Sequence, residues 1–111
     1  MKAIVIKSDG TFFIEQIRKG YREKRKLVGG DIECITLDTD FKMQMIINET
    51  GKLDHLPHNE LATNIFRSYF VTADWIAGDV VICGCDNEGA SCDLTDEQIA
   101  EIEEKVHINL R

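Results

Sequence analysis

The sequence predicts an α+β fold, one compact domain in which a small, mainly antiparallel or mixed sheet packs with two to three helices. Three observations predict it. Short apolar runs rich in β-branched residues are separated by turn residues. Other segments carry apolar residues at three- and four-residue spacing beside capping residues. Finally, strands and helices do not alternate regularly, so a doubly wound parallel sheet is not indicated. No segment repeats and no low-complexity linker divides the 111 residues, so residues 1–111 are expected to form a single domain.

The elements follow in order. Residues 2–7 are a short apolar run, Ser8-Asp9-Gly10 supplies a turn, and residues 11–14 read as a second strand. From residue 16 to residue 28, Ile17, Tyr21 and Val28 recur at helical spacing, and Gly29-Gly30 suits the left-handed conformation that ends a helix. Residues 31–37 and 41–47 read as a hairpin around Asp38-Thr39-Asp40. In its second strand Phe41, Met43, Met45 and Ile47 form an apolar face opposite Lys42, Gln44 and Ile46. A turn follows at residues 48–51, where Gly51 is the natural site for a positive φ.

Pro57 suits the approach to a helix, and Asn59 is a good N-cap for one bearing Ala62, Ile65, Phe66 and Tyr69. Residues 70–77 fit either loop or strand. Residues 79–85 contain Val-Val-Ile-Cys, apolar on both faces as a central strand covered on both sides would be. Residues 86–93 read as a polar loop. Thr95 and Gln98 then have the spacing of a capping box, with Leu94 and Ile99 placed as a hydrophobic staple and Ile99, Ile102 and Val106 facing inward.

Composition bounds the function. Hydrophobic residues at 43% and charged residues at 30% are the balance of a globular chain rather than a disordered one. No apolar run approaches the roughly 20 residues of a membrane helix, and the opening Met1 to Lys7 is too short for a signal peptide. A cytoplasmic protein that does not engage membranes is expected, with reduced thiols. The net charge is −7, but residues 18–26 alone carry +5, leaving −12 on the remainder. Between Asp86 and Glu104 stand eight acidic residues and no Lys or Arg. Such polarity bears on partners more than on fold.

Several groups are candidates for chemistry. Cys83 and Cys85 lie two apart on a strand and could share a soft metal with Cys34 and Cys92, yet they lack the turn of a zinc knuckle and fit core packing instead. His55 and His58 flank Leu56-Pro57, whose extended turn would splay them, so neither metal nor any other cofactor is expected. Arg18, Arg22 and Arg25, with Lys19 and Lys26, could form a stripe meeting phosphates. The acidic pI near 4.9 and a single interleaved aromatic, Tyr21, argue against direct nucleic-acid binding. No phosphate loop and no nucleophile with a recognisable base appears, so catalysis has no positive support.

Five stretches punctuate the chain: Leu27-Val28-Gly29-Gly30, Asn48-Glu49-Thr50-Gly51, Leu56-Pro57-His58-Asn59, Ile76-Ala77-Gly78-Asp79-Val80-Val81 and Leu94-Thr95-Asp96-Glu97-Gln98. In that order and spacing the chain resembles a family of phage and bacterial proteins known as domain of unknown function 3846. The resemblance carries no activity, but it implies a phage or mobile-element setting in which small acidic proteins act on host machinery. Its polar residues Asn48, Glu49, Gly51 and Asn59 cluster around two turns, where they could rim a binding site. The expected function is therefore binding. One reading is docking on a host or phage protein through the acidic surface that includes Glu101 and Glu104. The alternative is sequestering a nucleotide or other phosphorylated metabolite at Arg22 and Arg25.

Overall fold

The computed structural model describes residues 1–38, 40 and 42–109, with side chains through residue 106. Its elements are β1 (Lys2–Ile6), β2 (Phe12–Gln16), α1 (Tyr21–Val28), β3 (Ile32–Thr36), β4 (Met43–Asn48), α2 (Glu60–Tyr69), β5 (Val80–Cys85), β6 (Ser91–Cys92) and α3 (Asp96–Asn109). The strands form one sheet in the order β2-β1-β5-β4-β3, with β6 pairing β5, and every pairing is antiparallel. The α+β expectation is met, on the antiparallel side of its two options.

Helices cover both faces of this sheet. Because side chains alternate along a strand, Ile4, Ile6, Met43, Met45, Val80 and Ile82 face α2 and α3, meeting Ala62, Ile65, Ile99 and Ile102. On the other face Ala3, Val5, Ile46, Val81 and Cys83 pack with Val28 of α1. The central strand is thus apolar on both sides, as its sequence requires, and Val80 to Cys83 are wholly buried.

The starts of α2 and α3 are set by side chains. Asn59 Oδ1 accepts from the Ala62 amide at 3.0 Å to start α2. Before α3, the Gln98 amide donates to Thr95 Oγ1 at 3.1 Å while the Thr95 amide donates to Gln98 Oε1 at 2.9 Å. Leu94 and Ile99 join the core below this box. Replacing Thr95 with Ala should cost about 1 kcal/mol, and Ile99→Ala about 2 kcal/mol or more through lost burial. Urea melts of the two variants check both values.

Three expectations need correction, and one left open between loop and strand, residues 70–77, falls to loop. The first helix begins at Tyr21, not at residue 16, because the Ile17 amide donates to the Met1 carbonyl and prolongs the β1–β2 pairing, while Gly20 has φ 115°. Ile17 is buried as the end of a ribbon, so its spacing to Tyr21 mimics a helix without being one. Residues 86–93 are not all loop, since Ser91–Cys92 pairs with Gly84 and Cys85. Residues 70–77 form a loop with one isolated bridge, between His58 and Ala77. Gly51 does not take a positive φ; His55 does, at 57°. Phe41, placed on the apolar face of the hairpin by its spacing, and Thr39 of the intervening turn lie outside the described residues.

Candidate functional site

The cleft best suited to a ligand or partner lies over the end of β4, on the α2 side of the sheet. Its volume is about 330 Å³, at the small end for ligand pockets. Ile35 of β3, Ile47 of β4, Phe66 of α2 and Ile76 give it an apolar floor, while Glu33, Glu49, Lys52, Leu53, Asp74 and Trp75 stand around them. Its walls come from three separate parts of the chain, brought together by the sheet and by α2.

Two loops frame the cleft, and both are tied down. Arg67 donates through Nε to the Asp74 carbonyl at 2.9 Å and through its terminal nitrogen to the Ala73 carbonyl at 2.8 Å. Thr63 Oγ1 accepts from the Ile76 amide at 2.9 Å, and the Asn59 amide donates to the Ile76 carbonyl at 2.9 Å. Lys52 reaches across from the other loop to pair with Asp74, and its Nζ lies 4.9 Å from the Trp75 ring centroid. Hydrogen bonding to Lys52, followed by the Trp75 amide, holds the Asp74 carboxyl below the usual carboxylate range. The His58 ring meets Trp75 edge-on at 5.2 Å. With both loops fixed, the cleft is formed before anything binds, which lowers the ordering cost of binding.

The polar residues of the punctuating turns divide into two roles. Asn48 and Gly51 line the cleft, but the Asn48 side chain is 5% exposed and spends its bonds inward, donating to the Val28 carbonyl and accepting from the Thr50 amide. Gly51 is there for space: a Cβ would lie 3.1 Å from the Ala77 carbonyl oxygen. Glu49 alone of this group is exposed on the rim. Asn59 does not rim the site. It is 1% exposed, and besides capping α2 its amide donates to the Ile6 and Gly78 carbonyls.

The basic residues also divide. Arg18 and Lys19 precede α1, so the stripe reduces to Arg22, Arg25 and Lys26, which line a shallow hollow with Gly29 and Gly30. Arg25 already pairs with Asp31 at 3.0 Å. The Gly29 and Gly30 amides both donate to the Arg25 carbonyl, so they are not turned toward an anion, and the hollow sits at the negative end of the helix dipole. On α3, Glu104 is exposed, whereas Glu101 accepts a hydrogen bond from the Tyr69 hydroxyl and ties α3 to α2. Burial, then that bond, pushes the Tyr69 phenol well above its ordinary range.

Cys83 is buried in the core below α1, and Cys85 is half-buried further along the same strand. Burial pushes the thiols of Cys34, Cys83 and Cys92 upward, away from the thiolate that binds metal. Among the described residues no three His, Cys, Asp or Glu side chains gather as metal ligands would. Protein purified without chelator should carry no stoichiometric zinc, measurable by elemental analysis. Ser91 Oγ lies 2.6 Å from Lys24 Nζ, but it also accepts from Gln44 Nε2 at 2.7 Å. Both lone pairs are then occupied, which makes this hydroxyl part of a structural network rather than a nucleophile.

Fold and site together define a small antiparallel sheet, covered by helices on both faces, with one preformed cleft of mixed apolar and acidic character. The profile of the family described as domain of unknown function (DUF3846) matches residues 1–107, and the chain belongs to that family. The match runs from β1 into α3 and so takes in every residue of the cleft. No curated protein and no solved structure matches the chain. No helix among the described residues is long and apolar enough to cross a membrane.

The sequence reading missed Glu33, Lys52, Leu53, Phe66, Asp74 and Trp75. The signal that could have found them is the chain's only tryptophan, set in a stretch without clear periodicity and preceded by a carboxylate.

Proposed function

We propose that the chain is a non-catalytic binding module that docks on a protein partner through an acidic surface, with the cleft beside β3 as the point of contact. One observation carries this reading. Of the five large apolar side chains left in solvent among the described residues, Ile14 and Tyr21 lie elsewhere, but Leu53, Val71 and Trp75 belong to the two loops that frame this cleft, and Leu53 and Trp75 line it together with the carboxylates Glu33 and Glu49. An aromatic and aliphatic cluster with a charged rim is the make-up of a protein interface. The acidic face of α3 would then steer a basic partner toward the module. In the phage or mobile-element setting that the family resemblance implies, that partner is a host or phage protein.

The alternative, sequestering a nucleotide or other phosphorylated metabolite, rests on the hollow of Arg22, Arg25 and Lys26. Capture from bacterial lysate, with retained proteins and small molecules both identified, separates the two. The docking reading expects a protein that is retained by the wild type and lost when Leu53→Asp and Trp75→Ala are combined. Its retention should survive reversal of Arg22 and Arg25 to Glu and weaken in a salt-sensitive way with Glu104→Lys. Glu104 is the cleaner probe of α3, since reversing Glu101 would also break its bond to Tyr69. A phosphorylated small molecule lost on reversing the two arginines, with no protein lost from the cleft variant, would overturn docking in favour of the alternative.

A further inference from the structure

We infer that the free edge of β3 takes up an extended segment of the partner as an additional strand, and that Glu33 and Glu49 select a segment carrying Lys or Arg. This inference rests on the docking reading and names the chemistry of its partner.

The argument starts from the ladder. The Glu49 amide donates to the Asp31 carbonyl and the Leu37 amide to the Met43 carbonyl, on either side of the register Ile32↔Asn48 to Thr36↔Gln44. In an antiparallel pair, residues bonded to the neighbour alternate with residues whose amide and carbonyl point away from it. Asp31, Glu33, Ile35 and Leu37 therefore bond toward β4, and Ile32, Cys34 and Thr36 turn their backbone groups outward. β3 ends the strand order, and those outward groups have no hydrogen-bond partner among the described residues. Such a row is a template for another strand.

Side-chain alternation then places that strand against the cleft. Glu33 and Ile35 lie on the cleft face of β3. A residue opposite Glu33 on an added strand would stand about 5 Å from it between Cβ atoms. A long cation there can reach Glu33 and extend toward Glu49, while an apolar residue two positions along lies beside Ile35 and over the apolar floor.

Charge decides the occupant. Asp31 and Asp74 already have cations, Arg25 and Lys52, whereas Glu33 and Glu49 form no salt bridge among the described residues. A second copy of the chain is disfavoured, because antiparallel pairing of β3 with itself would gather Glu33 from both copies on one face of two bodies each of charge −7. The same carboxylate that keeps this edge from pairing with itself admits a cationic strand.

The test selects random peptides displayed on phage against the intact protein and then synthesises the most enriched one. A Lys or Arg followed two positions along by a β-branched or aliphatic residue is expected, with binding followed through Trp75 fluorescence. Methylating the backbone nitrogens of alternate residues should abolish binding for one set, the set facing β3, and spare the other. Glu33→Gln combined with Glu49→Gln, a pair of changes at exposed positions, should weaken binding about tenfold or more. Enrichment of no peptide, of acidic peptides or of helical amphipathic ones would overturn the inference, as would equal effects of the two methylation sets or a dimer formed through β3. If the methylation sets are equivalent while Leu53→Asp still abolishes binding, strand addition fails and the docking reading stands. If Leu53→Asp and Trp75→Ala leave every binding event unchanged, the docking reading itself fails.

Discussion

Asn59→Ala should destabilise the protein by about 3 kcal/mol or more, enough to remove much of the stability of a domain this size. The residue is 1% exposed and its side chain joins three parts of the chain: Oδ1 caps α2 at Ala62, and Nδ2 donates to Ile6 at the end of β1 and to Gly78 just before β5. Loss of the cap costs about 1 kcal/mol. Each buried carbonyl left without its donor adds about 1 kcal/mol or more. The substitution Asn59→Asp keeps the capping oxygen but turns a second oxygen toward two carbonyls. That carboxyl would have its folded-state pKa raised above the unfolded value, since its charged form has no donor on that side. An acid raised in this way destabilises the fold increasingly as pH climbs above the unfolded value of about 4. Urea melts across pH check the sign: Asn59→Asp should lose stability between pH 4 and neutrality relative to the wild type, while Asn59→Ala shows no such added slope. A melt unchanged by Asn59→Ala would mean that these three contacts do not hold the domain together.

The same residue shows what the sequence makes legible. That Asn59 starts a helix follows from its neighbours, because a cap is a local device whose partner lies three residues on. That its amide also holds β1 and the approach to β5 does not, because those partners lie 53 and 19 residues away. The capping box of Thr95 and Gln98 and the doubly apolar run of β5 are legible for the same local reason. Ile17 misleads in the opposite direction: its apolar spacing is real, but the cause is pairing with Met1. The cleft was the least legible feature. Glu33, Leu53, Phe66 and Trp75 share no motif, and only the register of β3 on β4 and the seat of α2 bring them together. Of the residues read as a polar rim, Glu49 lies on the cleft with its side chain outward, and Asn48 and Gly51 are there for the backbone around it.

Gly84→Ala should cost about 2 kcal/mol, and Gly84→Val more, although the residue has no left-handed backbone to explain its choice. The reason is space. β5 changes neighbours here, from β1 to β6, and a Cβ at Gly84 would lie 2.5 Å from the Asp93 carbonyl oxygen, 3.0 Å from Cys92 Sγ and 3.1 Å from the Cys92 carbonyl oxygen. Two of those three atoms are backbone, so no side-chain rotation relieves the clash. Asp93 cannot retreat freely, because its Oδ1 accepts from the Lys2 amide at 2.7 Å and the next residue, Leu94, donates to the Lys2 carbonyl at 2.9 Å. Leu94 in turn sits in the core under α3, so the displacement passes from the strand to the start of that helix. Hydrogen exchange should show the Lys2 and Leu94 amides losing protection first, with urea melts giving the overall cost. Gly84 pairs with Met43 at the opposite end of β4 from the cleft, which lies beyond Ile47. Trp75 emission should therefore stay native until the whole domain melts, so that Gly84→Ala lowers stability without reshaping the cleft; an early change in Trp75 emission would mean that the two ends of the sheet are coupled.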